Sequence, residues 1–452
     1  MSGGMSFSVL VRGGQRAQRR GPGGPMRLLV LGDFTGDAGA RAPLAARRTH
    51  RVGLGSFDDV LRALAPSLRV NLSGSVVNVS IESLDDFHPD RLWHRLPELR
   101  AAPASASSEG GQTGLDRLLD EPVRRSPATM AGASPVETLV QAAVAAHVIA
   151  DPSAADRDHA ATVLDEATRR MRTILHDPRF QQLEAAWRGI DWLVTNLELD
   201  GDLELHILDV TREELLADIV GAQGQLESMD LVQALTGPLS DDERWSAQIG
   251  LYSFGPSDTD VGLLAALGLI AAATGGPFLA GAEMALAGSR ADSSQGWQAL
   301  RRSQAAPSIG LAAPRFLLRL PYGKSTDAIA SFAFEELDRA PAHEHFLWGA
   351  PALALALLLG RSFLARGWVM EPGDETDIVD LPGYVYVSDG NRELYPCAER
   401  FLSDREWDAV LRAGLMPLVS HRHRNAVTVP RFASIAEPAH ALAGFGALAG
   451  DL

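Results

Sequence analysis

Apolar side chains recur in FQQLEAAWRGIDWLV, residues 180–194, at successive spacings of 3, 4, 3 and 4: Phe180, Leu183, Trp187, Ile190 and Val194. This is the period of a helix with one packing seam, and a seam of this kind requires a partner helix. Gly189 lets a neighbour approach the backbone closely, and Trp192 lies off the stripe. Upstream, Val163, Leu164, Ala167, Met171, Ile174 and Leu175 predict another helix. Downstream the period alternates. DLELHILDV is a strand, and TREEL opens a helix through a capping box of Thr211 and Glu214. QIGLYSF is a strand, DTDVGLLAALGLIAAAT a helix apolar nearly all round, and GPFLAG a further strand.

The first hundred residues carry their own pattern. RLLVLGDF predicts a buried strand ending in a Gly-Asp turn. SFDDVLRALAP predicts a short helix capped by Ser56, with Asp58 and Asp59 at its positive end and Pro66 closing it. LRVNL and SVVNVSIES are strands, and DDFHPDRLWHRLPELR a second helix with Asp86 or His88 at the cap and Pro89 in its first turn. AAPASASSEGGQ is a linker by composition, followed by the short apolar face of Leu115, Leu118 and Leu119. The expected organisation is a Gly/Arg-rich disordered tail (1–25), a small α/β block (26–100), a linker with a short amphipathic helix (101–134), a larger domain (135–435) and a small-residue tail (436–452). The fold class is α/β, a mixed α+β arrangement with helices flanking a mixed sheet.

A chain of 452 residues, 46% hydrophobic, can bury a substantial core. Its formal net charge of -16 argues against a nucleic-acid partner, which selects a basic face. With a single cysteine, Cys397, no intramolecular disulfide or thiolate zinc cluster can form; the residue is read as core filler in a reducing, cytoplasmic setting. The N-terminus lacks the apolar segment of a secretory signal, and the greasy run APALALALLLG is too short for a membrane span. Membrane insertion is not expected.

Chemistry-bearing motifs were tested against their own geometry. YGKST around Lys324 suggests a phosphate loop, but the first glycine of that motif would fall at Leu318, within the strand-like PRFLLRLP. HEHF and HRHR lack a third ligand at zinc spacing. GPSDTD and EPGDETDIVD do not fit a calcium-loop register; helix capping accounts for Asp258. GxSxG is absent. No catalytic, cofactor or metal residue is assigned.

The opening helix also carries a resemblance. HDPRFQQLEAAWRGIDWLV, ILDVTREELLADI, GLYSFGPSDTDVGLLAALGLIAAATGGPFLAGA, APRFLLRLPYG and HEHFLWGAPALALALLLGRSF resemble, in order, the large sheath subunit of bacterial type VI secretion systems over roughly residues 160–435. RLLVLGDFTG, FDDVLRALAPSLRVNL and SLDDFHPDRLWHRLPELR resemble the small subunit of the same sheath. The resemblance implies a non-enzymatic structural protein without cofactors. It would assemble with itself and other sheath subunits into a contractile tube around an inner tube protein, in contact with a baseplate. Neighbouring subunits there complete one another's sheets. It further implies that an AAA-type unfoldase recycles the sheath through a short helix, for which Leu115, Leu118 and Leu119 are candidates beside a purely local linker role.

Two departures bear on function. The small-subunit half stops near Arg100, and the large-subunit half ends after VTVPRFASIAEP with only a short tail. A non-polymerising accessory or capping homologue is therefore the alternative to a sheath subunit. An unrelated enzyme on an α/β scaffold is the third reading, which a bound metal or nucleotide would support.

Overall fold

The computed structural model describes residues 24–100 and 154–444, apart from positions 40, 73, 238, 240–243, 289–293, 338–342, 389 and 423. Leu115, Leu118 and Leu119, most of the N-terminal tail and the last eight residues lie outside the described residues.

The centre of the molecule is a seven-stranded sheet. Strand β1 (Met26–Gly32) pairs in parallel with β5 (Leu203–Asp209) on one side and β6 (Ala247–Phe254) on the other. Strands β7 (Phe278–Ala282), β8 (Ile309–Ala313) and β14 (Met416–Pro417) continue in parallel beyond β6, and β2 (His50–Val52) closes the opposite edge antiparallel to β5. The run β5-β1-β6-β7-β8 has the 2-1-3-4-5 order of one class of doubly wound folds. Because side chains alternate along a strand, MRLLVLG feeds two cores. Leu28 and Val30 face one, Leu29 and Leu31 the other, and all four are fully buried. A continuous apolar run is what a strand covered on both faces requires.

One face is covered jointly by the two ends of the chain. From residues 24–100 come α1 (Phe57–Leu64), the hairpin β3 (Ser67–Leu72)–β4 (Ser75–Ser80), and α2 (Pro89–Arg95). From the remainder come α3 (Ala154–Leu175), α4 (Pro178–Asn196) and α9 (Pro351–Arg366). The other face carries α5 (Arg212–Gly221), α6 (Asp230–Thr236), α7 (Asp258–Thr274), α8 (Gln295–Arg301) and α10 (Asp404–Arg412). Small sheets lie outside: β9 (Phe316–Leu317) with β10 (Trp348–Gly349); β11 (Asp377–Ile378), β15 (Val419–His421) and β16 (Arg424–Thr428); and the hairpin β12 (Tyr384–Ser388)–β13 (Asn391–Tyr395).

The capping box of Thr211 and Glu214 forms in both directions. Three local expectations change, and one left between two residues is decided. Ser56 precedes α1, but its Oγ accepts the Gly53 amide at 3.0 Å instead of an amide of the helix. Ser257, not Asp258, caps α7, and Asp258 is the first helical residue. His88, one of the two expected residues, caps α2 by accepting the Asp90 amide at Nδ1, while Asp86 lies inside the preceding short turn and accepts the Glu82 and Ser83 amides. PRFLLRLP yields only the two-residue β9. The apolar run at α9 is also longer than its sequence suggested. A turn extends it to Val369, long enough by length and composition to cross a membrane, but the helix is mostly buried as the central rod of this core.

All five seam residues of α4 are buried. Their partner is composite, not a single helix. Trp187 stands edge-on to Phe34 and Phe57, at 5.4 and 5.8 Å between centroids, and its Nε1 donates to the Phe34 carbonyl at 3.0 Å. Phe180 stands edge-on to Phe87 at 5.5 Å. Gly189 meets α9, where a Cβ would overlap Leu353 Cδ1.

Two outcomes follow in chemical denaturation. Trp187→Ala lowers stability by roughly 3–5 kcal/mol, the cost of truncating a fully buried aromatic. Gly189→Ala destabilises although alanine favours helix by about 1 kcal/mol, and Leu353→Ala introduced with it recovers part of that loss. Additive effects of the pair would place the crowding elsewhere.

Candidate functional site

A buried cluster of charged side chains lies where α4 meets the chain after β9. Glu184 sits one turn before Arg188 on α4, so both project to the same side. Arg319 follows β9 and forks between two carboxylates. Its Nε is 2.8 Å from Glu184 Oε1, and its Nη1 is 2.8 Å from Glu336 Oε2. Arg188 Nε adds a bond to Glu184 at 2.7 Å and donates from Nη2 to the Tyr322 hydroxyl at 2.9 Å. The Tyr322 amide donates to Glu336 at 2.7 Å, and its ring lies 4.2 Å beneath the Arg319 guanidinium. The side chains of Glu184 and Glu336 are wholly inaccessible and that of Arg319 is 9% exposed.

Burial alone would raise the Glu336 carboxyl. The adjacent Arg319 charge, His176, the Arg319 hydrogen bonds and the Tyr322 amide outweigh it and bring the pKa to about 2. Burial pushes Tyr322 to about 12, against the pull of Arg319. Beside the cluster opens a cavity of about 470 Å³, lined in part by Asp85, His88, Arg188, Tyr322 and Asp380. Its wall includes the seam between the N-terminal region and the rest of the chain. There Asp90 accepts amides of Ala330 and Ser331 at 2.8–3.1 Å, and Trp93 packs on Phe332 at 4.5 Å.

A second polar group binds the carboxyl ends of β5, β1 and β6, the place where doubly wound sheets bind ligands. Asp209 accepts the Phe34 amide at 2.7 Å and the Thr35 hydroxyl at 2.9 Å, and faces Arg41 at 3.1 Å. Arg41 also pairs with Asp33, and the Tyr252 hydroxyl donates to the Val210 carbonyl at 2.6 Å. Burial raises the Asp33 pKa against the Arg41 charge.

The motifs singled out by sequence are dispersed. Of YGKST, Tyr322 belongs to the buried cluster, whereas Lys324 and Ser325 are exposed and the Lys324 amide donates to Glu335. HEHF forms a short turn, with His343 paired to Glu399 at 2.8 Å and His345 stacked on His176. His421 lies 2.8 Å from the Thr428 hydroxyl. Asp374 and Asp377, of the acidic segment, accept from the Glu371 amide and from Thr428 and Arg424. Among the described residues no three His, Cys, Asp or Glu side chains converge as a metal site. Cys397 is fully buried, and burial lifts its thiol to about 11. Sequence reasoning missed the Arg319–Glu184–Glu336 cluster. Its one visible signal was an arginine set inside the apolar PRFLLRLP.

The cluster predicts acid lability of defined sign. The Glu336 pKa falls from an ordinary 4.5 to about 2 on folding. Its contribution, on the order of 3 kcal/mol, is therefore complete above pH 4.5 and disappears as the pH drops toward 2. Denaturant titrations between pH 7 and 3 should show this slope, and Glu336→Gln should reduce it while lowering stability at neutral pH. An unchanged slope in the variant would assign the acid lability to other carboxylates.

Comparison with known proteins accounts for this architecture. Residues 158–295 and 289–435 match the VipB tail sheath N-terminal domain family. Residues 22–103 match the type VI secretion system VipA family. The type VI secretion system sheath protein TssC1 of Pseudomonas aeruginosa is 30% identical over 347 residues, covering 69% of each chain. The chain thus belongs to the type VI secretion sheath family, with a VipA-like region preceding a VipB-like region.

Proposed function

We propose that this chain is a structural, non-enzymatic subunit of a cytoplasmic contractile sheath in which the two sheath components form one polypeptide. In this reading 26–100 is the small-subunit block, 101–134 the connection and 135–435 the large-subunit domain. The observation that carries it is the position of β1. The VipA-like region places its strand between two strands of the VipB-like region, in register over Met26–Gly32 against Leu203–Asp209. Two regions that share one core gain from a covalent link, since it replaces a bimolecular encounter by an intramolecular one.

Further copies of this chain and other sheath subunits are the partners, with the inner tube protein and the baseplate at the assembled surfaces. Contraction is a rearrangement of packed subunits, a two-state change of interfaces in place of a chemical step. Leu115, Leu118 and Leu119 remain candidates for recognition by an AAA-type unfoldase, as an amphipathic helix entering a groove. The TssC1 likeness supports the sheath assignment.

Electron microscopy of the purified protein, alone and mixed with full-length sheath subunits, tests the reading. Tubes from the chain alone are expected for a self-sufficient sheath, and tubes only in the mixture for a co-assembling component. Discrete particles in both conditions would overturn the polymer reading in favour of an accessory role.

A further inference from the structure

His176 follows the last residue of α3, and His345 ends the short turn His343–His345. Their rings are parallel within 5° and 3.9 Å apart. A hydrogen bond from Gln181 Nε2 to the Glu344 carbonyl at 3.1 Å ties the same turn to α4. His176 Nε2 is buried without a hydrogen bond, 3.7 Å from Glu336 Oε1. The pair is thus a direct ring contact between this turn and the α3–α4 corner, built from two imidazoles.

We propose that His176 and His345 form a pH-sensitive clasp, holding the His343–His345 turn on the α3–α4 corner while the pair carries at most one proton and releasing it under mild acid. The charged groups around it make the two rings unequal. A proton on His176 Nε2 faces the Glu336 carboxylate. A proton on His345 faces the His176 ring, with Glu344 and Glu336 in its favour and Arg172 against it. Arg172 is held in place by donating to the Glu335 carbonyl at 2.8 and 2.9 Å. Two imidazolium rings face to face at this distance repel, and the turn is the lighter element.

Burial, reinforced by His176, lowers the His345 pKa below its ordinary 6.5. A base with a depressed folded pKa stabilises the closed form above 6.5, and that contribution declines as the pH falls below it. This decline begins at a higher pH than the one set by Glu336, whose contribution is complete down to 4.5.

Hydrogen exchange of the full-length chain at pH 7.5 and 5.5, corrected for intrinsic rate, tests this. Amides of residues 343–347 should exchange several-fold faster at the lower pH, while those of β1 and β6 keep their protection. His345→Phe keeps a flat ring that cannot be protonated and should abolish the pH response. His345→Gln, which loses the ring, should leave the turn equally loose at both pH values and serves if the Phe variant does not fold. Unchanged exchange in the unmodified chain, or the same acid response in either variant, would overturn the proposal.

Discussion

Everything in this molecule depends on β1 lying between β5 and β6. Seven residues from the start of the chain supply backbone pairing to two strands that enter more than 170 residues later. Without β1, β5 and β6 would present open parallel edges in the middle of a sheet, where nothing but another strand can satisfy their amides and carbonyls. The strand also divides the apolar side chains into two cores. Removing it would uncover both faces at once, and neither the N-terminal region nor the remainder owns a complete core without the other.

The aromatic contacts around Trp187 and the ion cluster around Arg319 follow from that insertion. Once β1 is placed, the turn after it brings Phe34 against α4, and the elements that follow bring Phe57 and Phe87 to the same helix. These contacts are apolar and tolerant of small shifts. The cluster is not, because Arg319 must satisfy two carboxylates that have no access to water. A buried ion network adds little net stability over an apolar substitute but strongly penalises misplacement of any member. Its contacts join the chain after β9 to one turn of α4.

Legibility in the sequence followed the range of the interaction. Elements with a local period were visible: the α4 stripe, the two-sided apolar MRLLVLG, and the capping box at Thr211. Family membership was visible too, because order-preserving motifs survive where individual residues change. The composite partner of the seam was hidden, since Phe34, Phe57 and Phe87 lie about 90 to 150 residues from the side chains they meet, as the separation of 153 between Phe34 and Trp187 illustrates. Hidden for the same reason was Glu336, whose EE context looks like solvated charge until the fold turns it inward. Ser56 and Asp258 show the finer limit. The right residue type stood at each helix start, but which side-chain oxygen accepts which amide depends on loop geometry that no period reports.

The carboxyl ends of the central strands show how one scaffold separates fold from chemistry. A 2-1-3-4-5 sheet offers a crevice there, and many proteins with such sheets use it for ligands. In this chain Asp209 receives the Phe34 amide, the Thr35 hydroxyl and the Arg41 guanidinium, while Tyr252 reaches from β6 to the Val210 carbonyl. The polar groups of that edge are directed at one another and tie β5, β1 and β6 together across the insertion point. The same positions that hold ligand-binding loops in other proteins are, in this one, part of what keeps β1 in place.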